Sequence, residues 1–296
     1  GDSGCTGCLR LAESHDGGAT FSSLPLPSDR VAGTPELGSA DGNVVSDVRF
    51  GSADDGWLFG GDLQATHDGG HSWHYVQLPA NVRALEAASG RVWALVAANE
   101  TGGDLADDRL WSAPVGEDDW QPVPGQVVVT APGALAVQGN TVTVLGADRS
   151  PAWSNASGTF SKGANPCRGS LDTRLSGSDT LWATCVTGTA AHLAASNDGG
   201  RTWTDAPADT GQGSLPNSVV VGARGTGEAV LGVPTLPLAR LAMNGSLTEV
   251  AKPPTGELVS YLGFTNRNVG YAIIDSALWR TDDGAGTWHR LDITTP

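Results

Sequence analysis

Apolar residues in this chain recur in short runs with a period of two. The runs at 44–50, 91–96, 141–145 and 181–186 are each long enough for one strand and too short for a helix. The three-and-four spacing of an amphipathic helix is absent between them. Gly, Asp, Asn and Ser punctuate the runs, and glycine reaches 41 of 296 residues, as many tight turns require. The pattern predicts an all-β chain of short strands.

The strands repeat. Phe50-Gly51-Ser52-Ala53-Asp54-Asp55-Gly56-Trp57 matches Phe264-Thr265-Asn266-Arg267-Asn268-Val269-Gly270-Tyr271, and a weaker copy runs from Val221 to Glu228. The same slot is recognisable at Trp93, Thr143 and Trp182. Slots at 57, 93, 143, 182, 228 and 271 are spaced about 43 residues apart, the length of one four-stranded propeller blade.

A second motif is clearer still: Ser/Thr, any residue, Asp, Gly, Gly/Ala, any residue, Ser/Thr, aromatic. It runs from Ser14 to Phe21, Thr66 to Trp73, Ser196 to Trp203 and Thr281 to Trp288. Each residue type suits a turn between two strands. Asp accepts backbone N–H bonds, Gly permits positive φ, and the Ser/Thr hydroxyls bond locally. The closing aromatic opens the next strand and buries its ring. Asp16, Asp68, Asp198 and Asp283 are therefore expected to pin hairpins and do no chemistry. Decayed copies sit at 112–120, 153–160 and 243–246. Seven copies predict a seven-bladed β-propeller filling residues 1–296 as one domain, with six complete blades and an N-terminal blade holding only its last two strands. That half blade is expected of a chain shortened upstream of Gly1.

These lines resemble the Asp-box, or BNR repeat, shared by sialidases, sortilin-type receptors, xyloglucan-active glycosidases and photosystem II stability/assembly factor propellers. The resemblance implies that the box joins the third and fourth strands of each blade. It covers nearly the whole chain and is nearest in pattern to the assembly-factor type. That implies a non-catalytic binding platform, extracytoplasmic and secreted or lipid-anchored. Enzymes and non-enzymes share the box, so it carries no activity by itself. Sialidases show an Arg-Ile/Leu-Pro motif, which does not occur here. The nearest segment, Asp29-Arg30-Val31-Ala32-Gly33, does not match. Of the three tyrosines, Tyr75 follows a box, Tyr271 fills a core slot, and Tyr261 lies near an inner strand with Glu257 just before it.

A formal net charge of −15 argues against nucleic acid and anionic membranes as partners. No apolar run is long enough for a transmembrane helix. Scarce Lys beside abundant Ala, Gly, Val and Arg suggests a GC-rich bacterial source. Cys167 and Cys185 flank a predicted strand–turn–strand and are expected to close a disulfide, which fits an oxidising compartment. Cys5 and Cys8 form C-x-x-C, read as a local disulfide or as cysteines whose partner lay in the strands expected upstream; redox activity or half a zinc site with His15 is the alternative.

No phosphate loop, nucleophile elbow or H-E-x-x-H motif is present, and no cofactor or metal site is assigned. His67, His71 and His74 surround the second box, on a turn and a strand end, where a solvated loop is expected and a metal site is the alternative. The sharpest site hypothesis concerns the inner strands. Asp47 and Arg49, Arg83 and Glu86, and Asp172 and Arg174 are placed there, where opposed charges would either form a polar ring at the channel mouth or pair and seal it. The expected function is a monomeric scaffold for a protein or glycan. The alternative is a glycoside hydrolase using two carboxylates about 5–10 Å apart.

Overall fold

The computed structural model describes residues 10–27, 45–98, 107–125, 127–130, 132–147, 150–156, 158–177, 179–211, 213–250 and 258–293. Cys5, Cys8, Glu257 and the 29–33 segment lie outside them. All regular structure among the described residues is β-strand. They fall into two compact units, one holding the residues up to Val128 together with Ile293, and one running from Val129 to Asp292.

The first unit holds two four-stranded antiparallel meanders. Blade 1 is Asp47–Phe50, Gly56–Phe59, Leu63–Thr66 and His74–Val76; blade 2 is Val82–Ala88, Arg91–Ala98, Asp107–Pro114 and Gln121–Pro122. The second unit holds four more. Blade 3 is Ala134–Gln138, Thr141–Leu145, Ala152–Ser154 and Ser161–Gly163; blade 4 is Asp172–Gly177, Leu181–Thr187, Ala190–Ser196 and Thr204–Asp205. Blade 5 is Val220–Ala223, Glu228–Gly232, Ala239–Ala242 and Leu247–Glu249; blade 6 is Val259–Phe264, Gly270–Ile274, Ala277–Thr281 and His289–Leu291. Within each meander the four strands pair in sequence order, so each blade is a local fold; the short strand Leu215–Pro216 pairs back onto the third strand of blade 4.

Among the described residues the blades number six, which corrects the expected seven. The first box lies in a two-stranded sheet, Leu11–Glu13 with Ser22–Leu24, that gains no further strand among the described residues. A box reports a hairpin, and a hairpin needs only two strands. The other boxes, clear and decayed, all fall between the third and fourth strands of a blade. The slot residue lies on the second strand in all six blades, and Trp57 and Trp182 are fully buried there.

Hydrophobic cores form between the faces of successive blades. Trp57, Phe59 and Leu63 of blade 1 meet Val82, Leu85 and Val92 of blade 2. Trp182 and Leu193 of blade 4 meet Val221 and Leu231 of blade 5, and Val230 meets Leu262 and Trp279 of blade 6. Between blades 3 and 4, Leu145 and Ala152 join the buried disulfide Cys167–Cys185, which fixes the inter-blade link to the second strand of blade 4. First strands of neighbouring blades touch within each unit: blade 1 with blade 2, and blades 3, 4, 5 and 6 in succession. First strands therefore stand side by side within each unit.

The Phe-to-Gly-Trp/Tyr repeat has a packing cause. Phe50 pairs with Gly56 across the first two strands of blade 1, and Phe264 pairs with Gly270 in blade 6. Each ring lies over its glycine and meets the aromatic that closes the box edge-on, with centroids 6.3 Å apart for Phe50–Trp73 and 6.4 Å for Phe264–Trp288. A β-carbon at Gly56 would stand 2.6 Å from the Phe50 ring, so glycine is the residue that fits.

Candidate functional site

The four turns share one hydrogen-bond scheme. In blade 1 the Thr66 hydroxyl donates to Asp68 Oδ1 (2.8 Å) and accepts from the Gly70 N–H (2.9 Å). The Ser72 N–H and hydroxyl donate to the two oxygens of Asp68. Ser14/Asp16/Thr20, Ser196/Asp198/Thr202 and Thr281/Asp283/Thr287 repeat the scheme. Bonds from the Ser72 hydroxyl and backbone hold the Asp68 carboxyl down at about 2. Bonds from the Thr20 hydroxyl and backbone likewise hold Asp16 well below the usual carboxylate range. The Thr287 backbone lowers Asp283; at Asp198 partial burial opposes, and the Thr202 bonds win. Such carboxylates are acceptors already in use. The turns also grip the preceding blade: Gly199 O accepts from Thr143 and Ser154 of blade 3, and Gly284 O accepts from Arg240 of blade 5.

The six inner-strand candidates all lie on first strands. Arg49 and Glu86 face the slot residues Trp57 and Trp93, so they hold equivalent positions in adjacent blades. They pair directly, Nη2 to Oε1, at 2.8 Å. Burial pushes the Glu86 carboxyl above the usual range, the Arg49 guanidinium opposes that, and Asp47 adds to the push. Arg83 stands at a β-bulge between Val82 and Ala84, which turns it toward the fully buried Asp108 of its own blade, 3.0 Å away. In blade 4, Arg174 pairs with Asp172 at 3.1 Å and donates to the carbonyls of Asn217 and Val219 at the entry to blade 5. Ser176, two residues on, accepts from the Ala223 N–H of blade 5. Sequence reading passed over Ser176 and Asp108, because neither carries a motif: their partners come from elsewhere in the chain.

Two other features stand out. One is apolar. Leu171 and Leu258 each stand one residue before a first strand, in blades 4 and 6, and are 70% and 53% exposed; Tyr261, on the first strand of blade 6, is 47% exposed. They mark the entering end of the inner strands of the second unit. The other is a cluster of titratable groups in the first unit. His67 and His74, expected on a solvated loop, have ring centroids 5.3 Å apart. His74 Nε2 lies 2.6 Å, and His67 Nε2 3.6 Å, from Asp118 Oδ2 in the third-to-fourth-strand loop of blade 2. His67 Nδ1 lies 2.7 Å from Asp55, which pushes His67 above the usual histidine range. His71 turns away, its Nδ1 2.7 Å from the Asp68 carbonyl. The sequence offered the two histidines at a seven-residue spacing but gave no sign that Asp118 would join them.

No protein-family model matches this chain, and no curated protein matches it in sequence. Solved structures do. A structure of YCF48 bound to D1 peptide aligns over 83% of this chain and 80% of its own, at 17% identity and a TM-score of 0.58. An ancestral GH74 enzyme aligns over 94% of this chain but 43% of its own, at 13% identity and a TM-score of 0.60. Virginiamycin B lyase from Staphylococcus aureus aligns over 84% of both chains, at 13% identity and a TM-score of 0.57. The likeness is one of fold and spans a peptide-bound protein and enzymes alike: this chain is a β-propeller.

Proposed function

We propose that this chain is a non-catalytic, monomeric β-propeller domain that works outside the cytoplasm and holds a segment of another protein on the rim where its inner strands begin. Its four turns are read as Asp boxes that act as blade fasteners. The observation that carries the reading is the fate of the inner-strand charges. Arg49, Arg83 and Arg174 each face a carboxylate of this chain, and Arg174 also binds the next blade's backbone, so these residues fasten the structure. The exposed side chains left at the entering end are Leu171, Leu258 and Tyr261, which suit an apolar peptide surface. The YCF48 structure, similar in fold, holds a peptide. A disulfide fits an oxidising compartment, and no helix among the described residues is long and apolar enough to cross a membrane.

The test is a peptide array and a glycan array probed with the intact chain, alongside a panel of chromogenic glycosides. Binding to peptides that falls at least tenfold in Leu258→Asp or Leu171→Asp, with melting unchanged, supports the reading. Binding to glycans alone, or turnover of any glycoside, overturns it. The second reading, a glycoside hydrolase, rests on Glu86: burial and the nearby Asp47 raise its carboxyl above the usual range against the pull of Arg49, and a raised carboxyl suits a general acid. Turnover abolished by Glu86→Gln would establish that reading.

A further inference from the structure

His67, His74 and Asp118 present three ligand atoms that all lie within 4.8 Å of one another, on two blades. We propose that they form a binding site for a divalent transition-metal ion such as Zn²⁺, bridging blades 1 and 2. Two imidazoles and a carboxylate are a donor set that Zn²⁺ accepts, with bonds of about 2.0–2.2 Å. Ligand atoms around a tetrahedral ion stand about 3.3–3.5 Å apart, so small side-chain rotations at these exposed positions close the set.

The strongest argument is the group behind the ligands. His67 Nδ1 is held at 2.7 Å by Asp55, and Asp55 accepts in turn from the Ser52 hydroxyl at 2.7 Å. That bond fixes the imidazole so that Nε2 is the nitrogen facing Asp118. A carboxylate behind a ligating histidine orients the ring and raises its basicity. The turn after the first strand of blade 1 thus positions a ligand in the turn after the third. His74 is set by its place as the first residue of the fourth strand. Three protein ligands leave at least one position open to water, on the solvent side.

Titrating the intact chain with Zn²⁺ by calorimetry, at about pH 8 so that protons compete less with the metal, tests the site. The expected result is one ion per chain. His74→Ala and Asp118→Asn each lower affinity at least tenfold. Asp55→Asn lowers it about 10- to 100-fold without removing a ligand, as for other groups behind a ligand. His71→Ala leaves it unchanged, because that ring is engaged elsewhere. Co²⁺ provides a second readout: a visible absorption band of tetrahedral type, present in the parent and lost in His67→Ala. The melting temperature should rise with Zn²⁺ in the parent and not in Asp118→Asn. Absence of a one-to-one isotherm, or an isotherm indifferent to His74→Ala and Asp118→Asn, overturns the proposal.

Discussion

Thr66 makes the turn chemistry measurable at a single residue. Its hydroxyl is fully buried, donating to Asp68 and accepting from Gly70 N–H. Thr66→Val keeps the shape and strands both partners, which should cost about 1–3 kcal/mol in urea unfolding. The aspartates act through pH. Asp68 is at about 2 in the folded chain, and an unfolded Asp is near ~3.9. A lowered folded value means that the stabilisation is complete above ~4 and is lost as the pH falls toward 2. The melting temperature should drop over that interval, and Asp68→Asn should make the drop shallower while lowering the plateau at neutral pH. A pH profile unchanged by the substitution would refute this role. The four motifs made the turn and its pinning Asp legible, because all partners lie within four residues. Arg240 and Thr143, which grip the turn carbonyls from another blade, were not legible for the opposite reason.

Phe50 and Gly56 belong to the scale of elements, since their contact joins two strands. Gly56→Ala drives a β-carbon into the Phe50 ring and should destabilise the chain by about 1–3 kcal/mol, the usual cost of overpacking. Phe50→Ala in the same chain should recover part of that loss; a strictly additive double variant would show that the contact is not the cause. Blade boundaries could be read from sequence because each strand pairs with its chain neighbour. The bulge at Arg83 could not. Its extra residue redirects a side chain that period-two reading assigns to the other face, and so the Asp108 partnership appears only in the folded sheet.

For the molecule as a whole, the Cys167–Cys185 bond closes a loop across the link into blade 4, with a sequence separation of 18. By the loop-entropy model it contributes roughly 3 kcal/mol. Cys167→Ala with Cys185→Ala should lower stability by about that much, and reductant should lower the melting temperature of the parent but not of the double variant. The blade count depends on the whole molecule. Seven turn motifs were present, yet six meanders formed, because a turn motif encodes one hairpin and a blade requires two further strands. The same logic separates the charged residues. Arg49 and Glu86 were both recognised as inner-strand positions; that they would meet each other depends on two blades being in register.

Alone, the sequence determined what depends on neighbours along the chain: the strands, the turns, the slot residues, the all-β class and the pairing of Cys167 with Cys185. These follow from periodicity and local hydrogen bonding, which a linear string records. Tertiary structure decided what depends on distance through space. It paired the inner-strand charges, turned Arg83 toward Asp108, left Leu171, Leu258 and Tyr261 exposed, and brought Asp118 to His67 and His74. Blades are built locally, but the contacts between blades are made by residues whose separation in sequence says nothing of their separation in the fold.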